Sequence, residues 1–209
     1  LEEVMAVEMD QIRTWLTRHL EDGPLEITVE GDFDVDAVIA AAGRTFGALP
    51  SRRERIDHAD RTRVSPPKTG LRMDRTIQTQ VPKSLVHIVF PTNDGLEPDR
   101  RRALSFMGQV VNDRLRVEVR EKLGASYSPG ARSSANRVFP GVGQVDSQAM
   151  AEPEKVDTLL EACLDVARAL AENGVTQEEL DRLREPILAS LRDSQRTNGW
   201  WRSVLGQVQ

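Results

Sequence analysis

The chain is poor in the residues that most often carry chemistry. Among 209 residues it has one cysteine, one tyrosine and three histidines, and aromatic side chains make up only 4%. With Cys163 alone no disulfide can form within the chain, which excludes the small disulfide-stapled scaffolds and leaves cytoplasm and periplasm both open. No apolar run approaches the roughly 20 residues of a membrane span, and no basic-then-apolar leader precedes Leu1. Charge of one sign is not concentrated anywhere. Thirty-three acidic and 28 basic residues are spread along the chain to a net −5, and the one basic cluster, Arg100 to Arg102, reads as a solvated first helical turn. Nucleic acid, which needs a basic stripe to neutralise phosphates, is therefore not an expected partner.

Motifs are also missing. The three histidines, His19, His58 and His87, fall in a helix end, a loop and a strand, and none has a second histidine three to five residues away. Neither His-Glu-x-x-His nor His-x-x-Glu-His occurs, so two imidazoles are not presented to a metal from one helical face. There is no phosphate-binding Gly-x-x-x-x-Gly-Lys loop, no dinucleotide-binding Gly-x-Gly-x-x-Gly after a strand and no Gly-x-Ser-x-Gly elbow. Paired carboxylates such as Asp32 with Asp34, or Glu178 with Glu179, read as turn and cap residues. No metal or cofactor is expected on this chain itself.

What is present is clear periodicity. Met5, Met9, Ile12, Leu16 and Leu20 form one helical stripe, which Gly23-Pro24 stops. Leu25, Ile27 and Val29 alternate with polar residues as a half-buried strand does, Gly31-Asp32 turns the chain, and Asp34 caps a helix bearing Val35, Val38, Ile39, Ala42 and Phe46. Residues 51–70 read as a surface connection. Strands are predicted near 71–80 and 84–90, the second apolar on both faces except for His87 and so expected at the centre of a sheet. Asn93-Asp94-Gly95 is a turn, and Pro98 opens a long helix to about residue 122 with the stripe Leu104, Met107, Val111, Leu115 and Val119.

After Gly124 come strands near 125–133 and 141–150, then a helix with Val156, Leu159, Leu160, Cys163, Leu164, Ala167 and Leu170 on one side. Gly174 closes it, and Thr176 with Glu179 is a capping box for a last long helix that Pro186 is expected to kink. Asn198-Gly199 is expected to break that helix, and Trp200-Trp201 to close the core beneath the sheet. This order implies a two-layer α+β sandwich: one mixed or antiparallel sheet with helices packed on one face. At this length about 70% of the unfolded surface can be buried, so residues 1–209 are read as one domain. Because the chain opens inside helical sequence and ends soon after Trp201, it is expected to be an excised piece of a longer protein.

One stretch stands apart. In Leu115 to Gly130 a long amphipathic helix ends at Gly124 and runs directly into a strand bearing the single tyrosine, so Arg120 and Tyr127 are placed to face one space. A guanidinium fork and a neutral hydroxyl donor together suit a polarised carbonyl, although a helix-end Arg is usually solvated and a strand Tyr is usually core.

The run Arg120-Glu121-Lys122-Leu123-Gly124-Ala125-Ser126-Tyr127 resembles the Arg and Tyr motif in the C-terminal half of insulinase/pitrilysin zinc peptidases, down to the seven-residue step. Upstream, Leu25 to Asp34, continuing to Thr45-Phe46-Gly47-Ala48-Leu49-Pro50, resembles the strand, Gly-Asp turn and helix that open this family's domains. The resemblance covers most of residues 20–200. It implies a half without the zinc motif, facing a zinc-binding half of the same protein or of a separate subunit, the two enclosing a chamber for peptides. By it, Arg120 would hold a substrate carbonyl and Tyr127 would donate to the oxyanion. Zinc, its ligands and the general base would come from the other half, and the isolated chain would be inactive. The strand after Tyr127 is expected to offer backbone groups to an extended substrate. Family habit places the parent in the bacterial periplasm or outside the cell. Some relatives have lost zinc altogether, so a zinc-free assembly or peptide-binding subunit is the alternative expectation.

Overall fold

A computed structural model describes residues 2–53, 64–66, 69–78, 80–93, 97–122, 124, 128–136, 138–139 and 141–206. The chain groups into two compact units, one of Leu1–His58 with Leu188–Gln209 and one of Ala59–Ile187.

In the first unit the helical stripe is divided. Helix α1 (Glu2–Met5) stops, and α2 (Met9–Asp22) restarts behind Glu8, whose backbone N–H donates to Gln11 Oε1 at 2.9 Å in a capping box. Arg52 closes the other end of α2, donating from Nε to the carbonyl of Gly23 at 2.6 Å and from Nη2 to that of Leu20. This serves carbonyls that the end of a helix leaves without partners. Residues 24–30 are not in a sheet; Leu25, Ile27 and Val29 are 47%, 43% and 44% exposed, because among the described residues no neighbouring strand pairs with them. Gly31 at φ +136° makes the expected turn, and Asp34 caps α3 (Val35–Arg44) by accepting from Ala37 N at 2.8 Å.

The expected helix break before the tryptophans falls earlier in the chain. Helix α7 (Asn198–Leu205) begins at Asn198, with the Thr197 side chain as its cap. Trp200 and Trp201 pack edge to face at 4.6 Å, and Trp201, held by a bond from Nε1 to the Gln195 carbonyl, stays 47% exposed rather than closing a core.

The second unit carries the well-packed core. Strands β1 (Ser84–Thr92), β2 (Gly130–Ala135) and β3 (Gly143–Ala151) form an antiparallel sheet in the order β1-β3-β2. The stretch expected at the centre of the sheet is thus an outer strand of these three, and β3 is central. The apolar run of β1 was misleading because its second face is surface: Leu85 and His87 are exposed there. Residues 71–78 form no strand, and the turn at 93–95 lies outside the described residues apart from Asn93.

Helices α4 (Pro98–Leu115) and α5 (Val156–Asn173) cover one face of the sheet, α5 behind a short 3₁₀ turn at Pro153–Lys155. Val86, Ala149 and Ala151 meet Val111, Leu115, Val119, Leu159, Ala162, Cys163 and Val166 there. The fold is therefore α+β, as the periodicities imply. Gly108 lets α4 lie directly on β2: a Cβ at this position would come 2.8 Å from Ser133 N and 3.1 Å from Arg132 C.

The hairpin from β2 to β3 closes with a bond from Asn136 N to Val142 O. Gly174, at φ +70°, ends α5, and helix α6 (Gln177–Ser194) starts on the Thr176/Glu179 box and continues through Pro186.

Candidate substrate-binding site

The long helix does not stay α-helical to its end. From Arg116 to Lys122 it widens into a π-helix, a form that is rare and recurs at functional sites, and Gly124 at φ +56° then turns the chain toward β2. Within this segment Val119 is fully buried and Arg120, the next residue, is exposed. Leu115 and Val119 are both 0% exposed, so the segment is pinned to the core on one side and displays Arg120 on the other. Tyr127, the second expected site residue, lies outside the described residues, as does His58.

Two ion pairs fasten the root of the π segment to α6. Arg114 donates from Nε and Nη2 to the two carboxylate oxygens of Glu179, at 2.6 and 2.9 Å, and from Nη2 to the Gly174 carbonyl at 2.7 Å. Arg182 donates to Asp113 Oδ2 at 2.6 Å, while Arg116 reaches Asp113 Oδ1 at 3.1 Å and also pairs with Glu121. Burial works to raise the Asp113 carboxyl pKa, but the hydrogen bonds from Arg182 and Arg116 outweigh it and the net shift is downward.

Beside the clamp is a cleft of about 510 Å³ whose apolar floor is Val117, Val166 and Ala169. Arg120 is not among its lining residues.

The clamp itself was hidden from sequence reading. The Thr176/Glu179 box was visible in the spacing, but the second task of Glu179, holding Arg114 from 65 residues away, has no local signature. Nor is the edge of β2 open as expected. Asn112 Oδ1 accepts from Ala131 N at 3.1 Å and Gly108 lies against Ser133 N, so α4 covers the strand that was to receive an extended substrate.

No group of three or more His, Cys, Asp or Glu able to hold a metal ion occurs among the described residues. His19 lies at the end of α2 against Trp15, with ring centroids 4.7 Å apart, and His87 is on β1 beside Asp146. No helix is long and apolar enough to cross a membrane among the described residues.

A family model described as the peptidase M16 inactive domain matches residues 6–187. The chain belongs to this family. An uncharacterised zinc protease of Streptomyces coelicolor is 27% identical over 190 residues, 86% of this chain and 39% of that protein. The chloroplastic stromal processing peptidase of Pisum sativum is 29% identical over 107 residues, 51% of this chain and 8% of that protein. The chain thus spans a small part of the curated relatives it matches. Among solved structures, the periplasmic protease PqqL of Escherichia coli shares the fold at a TM-score of 0.57 and 20% identity, over 82% of this chain and 19% of that one. M16 membership bears out the insulinase-type resemblance drawn from the sequence.

Proposed function

We propose that this chain is the substrate-binding, transition-state-supporting part of a zinc metalloendopeptidase acting on peptides or unfolded proteins, and that alone it does not hydrolyse them. The observation that carries this reading is the π-helical end of α4, clamped by Asp113 and Arg114 to α6 and presenting Arg120, inside a chain of the M16 inactive-domain family. In this reading Arg120 holds the substrate carbonyl and Tyr127 donates to the oxyanion of the tetrahedral intermediate. A donor aimed at developing charge in a closed site is worth about 10²–10³ in rate.

In this reading a zinc-binding half, in the same protein or in a separate subunit, would hold the zinc and so supply the activated water. The proposed site of action is the periplasm or beyond, the compartment of PqqL, which shares this fold.

The test is hydrolysis of a quenched fluorescent peptide library by the intact protein, comparing wild type with Arg120→Ala and Tyr127→Phe while bound zinc is measured. A chelator-sensitive activity that falls about a hundredfold in kcat with zinc retained supports transition-state donation. Activity indifferent to both substitutions, or absent from the metal-replete protein, overturns it in favour of a zinc-free assembly or peptide-binding subunit.

A further inference from the structure

The face of the sheet away from α4 and α5 carries a buried charge. Asp146, paired in the ladder with Val89 of β1 and Arg132 of β2, has a side chain only 2% exposed. Three side chains reach it: Gln144 Nε2 lies 3.2 Å from Oδ1, Arg132 Nε 3.4 Å from the carboxylate, and His87 Nε2 3.5 Å from Oδ2. A carboxylate so enclosed is tolerated only because it is paired and hydrogen-bonded.

The pairing is lopsided. Arg132 contacts Asp146 through Nε alone and remains 73% exposed. Full neutralisation would favour a two-nitrogen fork, as Arg114 makes to Glu179. Here the Nη edge, which carries four of the five guanidinium N–H donors, makes no hydrogen bond among the described residues. Asp146 therefore works as an anchor. It fixes the plane of the guanidinium while the two-pronged edge looks outward, so little side-chain freedom is lost when an anion docks.

On the same face Leu85 and Met150 stand directly opposite each other, 59% and 53% exposed. Met150 is four residues from Asp146 along β3, a distance of about 13 Å in a strand. An extended peptide has nearly the same rise, so its side chains four positions apart match the two features.

We propose that this open face docks an extended peptide, with the Nη edge of Arg132 gripping a peptide carboxylate and Leu85 with Met150 taking a large apolar side chain four positions away. The inference rests on the reading of the protein as peptide-binding, and it deepens that reading by naming a substrate class: peptides that pair an apolar with an acidic group at this spacing.

The test uses three labelled peptides and the intact protein with its zinc chelated, read by fluorescence anisotropy. All carry one Leu; one has Glu four positions on with an amidated end, one has Gln there, and one ends at that position with a free carboxylate. The Glu peptide is expected to bind about tenfold more tightly than the Gln peptide. Arg132→Gln should abolish that preference while leaving the Gln peptide unchanged, which also reports that the variant is folded. Arg132→Lys, which keeps a charge beside Asp146 without the fork, should lose most of it. Met150→Ala should weaken all three peptides alike.

Tighter binding of the free-ended peptide than of the Gln peptide assigns the site to a terminal carboxylate, and of the Glu peptide alone to an acidic side chain; either supports the proposal. Equal affinity of wild type for all three, or a preference that survives Arg132→Gln, overturns it. Hydrolysis indifferent to Arg120→Ala alongside an intact Glu preference would instead sink the catalytic reading and leave this one standing.

Discussion

Arg114 and Glu179, 65 residues apart, meet in a two-point ion pair of 2.6 and 2.9 Å that joins α4 to the first turn of α6. The hydrogen bond from Arg114 is the main reason the Glu179 carboxyl is held down at about 2, with the Thr176 backbone and hydroxyl adding to it. A carboxyl that releases its proton more easily in the folded chain stabilises the fold above its unfolded pKa. That contribution is lost as pH falls from about 4.5 toward about 2. Glu179→Gln is therefore expected to cost about 2 kcal/mol at neutral pH and progressively less in acid. Urea titrations of both proteins across this range check it; a gap between them that stays constant with pH would contradict the pairing.

Gly108 offers a steric test of the layer spacing. Gly108→Ala places a methyl 2.8 Å from Ser133 N and 3.1 Å from Arg132 C, both backbone atoms that cannot swing aside. The gain in helix propensity, about 1 kcal/mol, is outweighed, and a net loss of roughly 1–2 kcal/mol is expected. A melting temperature equal to or above that of the wild type would mean that α4 does not lie this close to β2.

The helices were legible because their apolar residues recur every three or four positions and end at recognisable punctuation. Val111, Leu115 and Val119, or Leu159 and Cys163, lie on the buried side as their spacing requires, and Val166, outside the expected stripe, is buried with them. Caps at Asp34 and Thr176 and the stop at Gly174 are local chemistry, and local chemistry is what a sequence displays. Strand order is not local. β1 looked central because Leu85 and Val89 are as apolar as Val86, but only pairing partners decide which strand has neighbours on both sides. The same limit hid the Asp146 cluster, whose Arg132, Gln144 and His87 come from three different strands and are brought together only by register. Arg120 was singled out through a motif, whereas neither the π widening of Arg116–Lys122 nor the ion pairs from Asp113 and Arg114 to α6 have a signature in the spacing.

Core truncation should separate the packed from the unpacked parts of the chain. Leu159 is 0% exposed within the cluster between α5 and the sheet, so Leu159→Ala is expected to cost about 2–5 kcal/mol through lost burial and a residual cavity. Leu25, 47% exposed, has little to lose, and Leu25→Ala should cost under about 0.5 kcal/mol. Chemical denaturation of both variants measures the contrast, and equal losses would contradict the burial difference.

Cys163 gives a direct reading of how the core opens. Its thiol is 3% exposed between α5 and the sheet, and burial pushes it up to about 11. Because the thiolate is the reactive form, both protonation and enclosure protect it in the native chain. Labelling by a maleimide or disulfide reagent at about pH 8 should therefore be slow and should proceed through molecules that have opened, at a rate set by the free energy of opening. Leu159→Ala, which lowers that free energy without touching the sulfur's own chemistry, should speed labelling by the factor that its loss of stability dictates, about tenfold for each 1.4 kcal/mol. Leu25→Ala should leave the rate unchanged. Fast labelling of the wild type that neither substitution alters would mean that reagent reaches Cys163 without the core opening, and that α5 does not seal the sheet where Leu159 and Val166 meet it.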